Sequence, residues 1–121
     1  MVNCAYNAIS ALAQSSYGEM VALAPIRELQ RTVVGEVVAV AAASGVELPL
    51  PAAVEAMERI APAMPAQLSS TAQDVARGKP SEIDHLNGFV VRRGRELGIA
   101  TPANQALHAL VKLVESRQAN A

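Results

Sequence analysis

The sequence has no tryptophan, a single cysteine and only three aromatic residues, Tyr6, Tyr17 and Phe89. A core without large rings has to be filled by Ala, Val and Leu, so its packing elements must approach closely. With Cys4 alone, neither an internal disulfide nor a multi-thiolate metal site can form. His85 and His108 stand far apart and lack the His/Cys/Glu spacing of a metal centre, so no bound metal is expected. No apolar run approaches the roughly 18 residues of a membrane helix. The apolar start, Met1 to Leu12, lacks the basic region that opens a signal peptide. A reducing, cytoplasmic setting away from membranes is therefore expected. A formal charge of −1 over 121 residues provides no field for nucleic acid. Arg92, Arg93 and Arg95 cluster, but without interleaved aromatics they read as a solvated helix face. There is also no glycine-rich turn to cradle a phosphate and no nucleophile elbow. A self-contained active site is not visible.

What is present is helical punctuation. Half the residues are apolar, enough for one domain of this length to bury roughly two-thirds of its unfolded surface. No segment alternates apolar and polar residues between turn signals, so the fold class is all-α. One helix is expected from about Val2 to Gln14, with Tyr17-Gly18-Glu19 as a short turn after it. Pro25 suits the first turn of a second helix that runs to Ser44, with Gly45 as its stop. Its residues Ile26, Leu29, Val33, Val37 and Val40 follow the 3.6 period, and Val34, Val38 and Ala41 widen the stripe. Beyond Thr32 only Glu36 is charged, so this helix is expected to be central or covered by a second subunit. Further helices are expected over Ala52–Ala61, from Ser70 to Gly78, from Ser81 to Gly98, and from Thr101-Pro102 onward, with a fraying tail after Glu115.

Three groups of polar residues invite a chemical reading. Asn3, Asn7, Ser10 and Gln14 repeat at four, three and four, which puts them in one row on an apolar helix. Such groups cost roughly 1–3 kcal/mol each when buried without a partner. The row therefore either faces water or forms an uncharged wall of a ligand site. Ser70 can cap the helix that follows it, a role that does not exclude ligand contact by the neighbouring backbone amides, which are suited to anions. In Glu82-Ile83-Asp84-His85-Leu86-Asn87-Gly88, Glu82 gains from the helix dipole and Asp84 completes a capping box with Ser81. Asn87-Gly88 are poor helix formers in a mid-helix position, Gly costing about 1 kcal/mol relative to Ala, so a packing or ligand reason is expected for them.

The stretches Asn3-Cys4-Ala5-Tyr6-Asn7-Ala8-Ile9-Ser10-Ala11-Leu12, Tyr17-Gly18-Glu19 and Ser69-Ser70 with Gln73-Asp74 occur in order. They continue with Ser81-Glu82-Ile83-Asp84 leading to Asn87-Gly88, and Gly98-Ile99-Ala100-Thr101-Pro102 leading to Asn104. Together they resemble the carboxyl-terminal domain of the ketopantoate reductases (2-dehydropantoate 2-reductases), over essentially the whole of residues 1–121. The resemblance implies a compact multi-helix domain like the carboxyl-terminal domain of 6-phosphogluconate-dehydrogenase-like reductases. In that family an amino-terminal Rossmann domain, not found here, binds NADPH, and the helical domain closes over ketopantoate as it is reduced to pantoate on the route to coenzyme A. By matching position, Asn3 and Asn7 would orient substrate and catalytic groups, Ser70 would contact the substrate carboxylate, and Glu82 would hold the substrate as both a binding and a catalytic residue. Like charges repel in a poorly solvated cleft, so Glu82 should lie away from that carboxylate and accept from a substrate hydroxyl or pair with a cation. Gln67 stands where some relatives carry an asparagine, which puts that contact in doubt.

The family's general acid is a lysine four positions before the asparagine matched by Asn3, ahead of Met1. A positioned proton donor is worth about 10²–10⁴ in rate. The chain alone is therefore expected to be inactive as an enzyme. It is expected to be the substrate-binding and homodimerising part of a reductase, with a small 2-keto acid as ligand. The alternatives are a stand-alone helical interaction module, or one half of a split reductase that pairs with a separate Rossmann-domain chain. Retention of Asn3, Asn7, Ser70 and Glu82 favours the reductase readings over a module with no ligand.

Overall fold

Residues 2–119 are described by the computed structural model, and every regular element among them is helical. A 3₁₀ turn, Val2–Ala5, precedes α1 (Asn7–Ala13) and α2 (Tyr17–Val21). The long α3 (Ala24–Ala43), α4 (Leu50–Glu58), α5 (Ile60–Ala63) and α6 (Ser70–Ala76) follow. A second 3₁₀ turn, Ile83–His85, leads into α7 (Asn87–Leu97) and α8 (Pro102–Ala119). No helix among the described residues is long and apolar enough to cross a membrane.

Helix α3 is central, as its stripe predicts. It packs against the first 3₁₀ turn, α2, α4, α7 and α8, and buries Val33, Val34, Val37 and Val40. Gln30 shares that face. It is 1 % exposed and donates from Nε2 to the Ala5 carbonyl at 3.1 Å, so the stripe carries a satisfied polar group. Around α3 the core is made of small side chains, with Tyr6 the largest fully buried one. The Tyr6 hydroxyl donates to the Met57 carbonyl at 2.6 Å, and its ring packs against Tyr17 in a tilted arrangement, 52° between planes and 4.6 Å between centroids. Close approach is visible at Gly18, whose amide donates to the Pro65 carbonyl at 2.8 Å. A Cβ there would lie 2.9 Å from that same oxygen.

The expected first helix is divided. Val2–Ala5 is 3₁₀, α1 starts at Asn7, and Gln14 closes it in the left-handed region at φ 50° without being glycine. Its side-chain amide donates to the Ala11 and Ala72 carbonyls, which offsets the strain. Tyr17-Gly18-Glu19, expected as a turn, begins a short helix with a full capping box between Ser16 and Glu19. The expected Ala52–Ala61 helix begins earlier, at Leu50, and breaks at Arg59 into α4 and α5, with Pro62 inside the first turn of α5.

Two expected caps are corrected. The residue that caps α6 is Ser69, whose Oγ accepts from Ala72 N at 3.0 Å, while Ser70 is the first helical residue. Ser81 starts no helix running to Gly98; α7 begins only at Asn87. Ser81 instead donates from its amide and hydroxyl to the Glu115 carboxylate on α8, and Asp84 bonds to His108 and Lys112. These partners on α8, distant in sequence, outcompete the local capping box. The tail expected to fray after Glu115 continues α8 to Ala119, where Gln118 Nε2 donates to the Val75 carbonyl at 2.7 Å; residues 120–121 lie outside the described residues.

Candidate functional site

The polar row on α1 docks α6. Ser10 Oγ accepts from Ser69 N at 3.1 Å and donates to the Ser15 carbonyl at 2.8 Å. Gln14 reaches the Ala72 carbonyl at 3.2 Å. Ser69 Oγ donates to the Asn7 carbonyl at 3.1 Å. Ser10 is buried and consumed by the α1–α6 junction, while Gln14 is exposed and bonds across the junction from its water-facing side.

The other two members of the row differ. Asn7, 6 % exposed, donates from Nδ2 to Thr71 Oγ1 at 3.2 Å and to Ser70 Oγ at 3.5 Å. Ser70 itself is exposed and not used as a cap, so its hydroxyl retains capacity toward solvent. Asn3 is exposed on the first 3₁₀ turn, one turn before Asn7. Glu82 is exposed just before the second 3₁₀ turn, and its carboxylate has no hydrogen-bond partner among the described residues. The structure thus brings Asn7 and Ser70 together, while no hydrogen bond joins Asn3 or Glu82 to that pair. Gln67 is exposed and donates to the Leu68 carbonyl.

Three concavities of about 310, 260 and 430 Å³ lie elsewhere on the surface, and none is lined by Asn3, Asn7, Ser70 or Glu82. Of the four candidate residues Asn3, Ser70 and Glu82 are exposed and Asn7 is buried. No cluster of three metal-ligating side chains is found among the described residues.

Asn87 and Asn104 have a packing role that the sequence reading left open. Both are fully buried. Asn87 Nδ2 donates to the Cys4 carbonyl at 3.2 Å and to Asn104 Oδ1 at 2.9 Å. Asn104 Nδ2 donates to the Val33 carbonyl and to Glu36 Oε1. The Glu36 carboxylate also accepts from the amides of Ala103 and Asn104, each at 2.9 Å. A side chain of α3 thereby caps the amino terminus of α8, where orphan amides and the dipole favour an anion. Oδ1 of Asn87 is left without a partner among the described residues, so the network falls one bond short of saturation.

Gly88 is fixed by proximity: a Cβ would stand 2.8 Å from His108 Nε2 and 3.2 Å from the Ile83 carbonyl oxygen. His108 Nε2 lies 2.7 Å from Asp84 Oδ1, and Lys112 Nζ donates to Asp84 Oδ2 at 3.2 Å. The His108 hydrogen bond, with Lys112 beside it, holds the Asp84 carboxyl below its ordinary pKa. Burial pushes the Cys4 thiol and the Tyr6 and Tyr17 phenols above theirs.

The family model for the ketopantoate reductase PanE/ApbA carboxyl terminus matches residues 1–115. The chain belongs to the ketopantoate reductase family. A 2-dehydropantoate 2-reductase of Pyrobaculum aerophilum is 46 % identical over 115 residues, covering 95 % of this chain and 41 % of that protein. The crystal structure of a PanE/ApbA family ketopantoate reductase from Ralstonia eutropha superposes with a TM-score of 0.92 at 56 % identity, over 97 % of this chain and 39 % of that one. D-mandelate dehydrogenase, in a ternary structure with NADH and anilino(oxo)acetate, superposes with a TM-score of 0.90 at 28 % identity, over 97 % and 39 % of the two chains. The chain thus spans about two-fifths of the relatives it matches and corresponds to the family's carboxyl-terminal domain.

Proposed function

We propose that this ketopantoate reductase domain supplies the substrate-binding wall of an NADPH-dependent 2-dehydropantoate 2-reductase acting in pantothenate and coenzyme A biosynthesis. The observation that carries the reading is the Asn7–Ser70 pair, a side-chain amide at 3.5 Å from an exposed hydroxyl that no cap consumes. An α-keto acid is anionic, and neutral donors of this kind hold a carboxylate without a counter-charge. Ser70 donates to that carboxylate and Asn3 orients the keto end, while Asn7, its amide donated to Thr71 and Ser70, orients the Ser70 hydroxyl. Glu82 has no hydrogen-bond partner among the described residues to compete for it and accepts from a substrate hydroxyl, at a distance from the carboxylate it would repel.

The described residues do not fit a dinucleotide. There is no strand–turn–helix, and the left-handed glycines, Gly45, Gly78 and Gly98, follow helices where carbonyls rather than amides are free. On this reading cofactor binding and hydride transfer fall to an amino-terminal domain of the reductase, and the exposed polar face of this chain lines the cleft beneath it. Leu110 and Leu113, about half exposed on α8, support self-association as a homodimer.

Titration of pantoate into the ¹⁵N-labelled chain tests the reading. Shifts should cluster at Asn3, Asn7, Ser70 and Glu82; shifts confined to the far side of α3 would overturn it. Addition of NADPH and ketopantoate to the chain alone should give no oxidation, and a clear rate would refute the assignment of this chain to only part of the enzyme.

A further inference from the structure

The segment that carries Glu82 is held from both sides by a single face of α8. On its amino side, Ser81 N donates to Glu115 Oε2 at 3.0 Å and Ser81 Oγ to Glu115 Oε1 at 3.4 Å. On its carboxyl side, both oxygens of Asp84 are taken, by His108 at 2.7 Å and by Lys112 at 3.2 Å. Between the two clasps Ile83 is fully buried, its amide donating to Ser81 Oγ at 3.3 Å. His108, Lys112 and Glu115 are spaced at four and three residues, which aligns them along one edge of the helix. The two residues they grip flank Glu82 and Ile83, while the Glu82 carboxylate has no hydrogen-bond partner among the described residues. Gly88 completes the arrangement, since a side chain there would occupy the space of the His108 ring.

We infer that His108, Lys112 and Glu115 are positioning residues that fix the Ser81–Leu86 segment on α8 and thereby set where the Glu82 carboxylate meets the substrate. The inference rests on the reading of Glu82 as a substrate contact. An exposed loop with a free carboxylate would otherwise sample many positions, and only a restrained one presents its charge without an ordering cost on binding. Long-range clasps from a packed helix provide that restraint, and their partners lie 24–34 residues away in sequence.

The test compares Glu115→Gln, His108→Ala and the milder Lys112→Met in the intact chain by amide hydrogen exchange and by pantoate titration. Exchange at Ile83–Leu86 should rise about tenfold in the first two, while amides of α3 remain protected. Pantoate affinity should fall about three- to tenfold in those variants, and Lys112→Arg should restore what Lys112→Met loses. In a Glu82→Gln background the same substitutions should cost almost nothing further, because they act through that carboxylate; a merely structural role would give additive losses. Unchanged exchange, or additive losses while Glu82→Gln still binds weakly, overturns this inference alone. Glu82→Gln binding pantoate as tightly as the parent overturns the functional reading of Glu82, and this inference with it.

Discussion

Two polar regions of the domain use similar side chains to opposite ends. The inner one, Glu36, Asn87 and Asn104, joins the first 3₁₀ turn, α3, α7 and α8 through bonds of 2.8–3.3 Å. The outer one, Asn3, Asn7, Ser70 and Glu82, has one anchored member and three exposed ones. Asparagine followed by glycine, or a row of amides at helical spacing, does not by itself mark a ligand site. What separates the two regions is how much hydrogen-bonding capacity the protein itself consumes. Buried amides with their donors spent lock helices together, whereas exposed groups with capacity left can meet a substrate.

The largest effect that would break this contrast is expected inside. Asn104→Ala removes the acceptor of Asn87 and the donor to Val33 and Glu36 in one step. Each orphaned buried group costs about 1–3 kcal/mol, so a loss of about 3 kcal/mol in urea unfolding is expected. A loss below about 1 kcal/mol would mean that water reaches the network, and that the two regions are not distinct in kind.

Adjacent serines sharpen the contrast next. Ser69 is 1 % exposed and bonds Asn7 O and Ala72 N. Ser69→Ala should cost about 2 kcal/mol through the lost cap and the lost bond to the Asn7 carbonyl. Ser70→Ala should change stability by less than about 0.5 kcal/mol, since that hydroxyl is exposed and only grazed by Asn7 at 3.5 Å. In compensation it should weaken pantoate binding about tenfold, one charge-assisted hydrogen bond being worth about 1.5 kcal/mol. Equal stability losses in the two variants, measured by thermal unfolding, would show that Ser70 is structural as well.

Much of the inner region was legible only as isolated hints. The α3 stripe and its Pro25 and Gly45 punctuation were enough to place the central helix, because burial against several neighbours leaves a strong period. Gln30 falls three residues before Val33 and four before Val34, so its place on the stripe could have been read. Glu36 stands out in the sequence as the lone charge of that helix beyond Thr32, but its partner stands 67 residues away at the start of α8, and no local pattern encodes that pairing. Single-residue choices failed for the same reason. Ser69 and Ser70 can both cap by chemistry, and only the contact of Ser69 with Asn7 decides between them. Ser81 and Asp84 form a plausible capping box until α8 offers them better partners. For the outer region, periodicity aligned Asn3 with Asn7 but could not bring Ser70 to them. That came from the family resemblance alone.

Cys4 lies on the boundary, its carbonyl in the inner network and its neighbour Asn3 in the outer row. Its thiol is buried, and burial raises its pKa from an ordinary 9.0, as it raises those of Tyr6 and Tyr17 from 10.0. A group that keeps its proton more tightly when folded contributes stability that is complete below the unfolded pKa and is lost as pH rises through the folded one. The urea midpoint should therefore hold until the pH nears the ordinary thiol value, about 9.0, decline once the unfolded thiol ionises, and steepen when the phenols join. Cys4→Ala should remove the first part of that decline and leave the second. Thiol-reactive dyes should label the folded chain slowly at pH 8 and fast in urea. Rapid labelling of the folded chain would mean that the 3₁₀ turn opens readily, and the partition between a dry interior and a wet face would then move inward by one residue, to Cys4 itself.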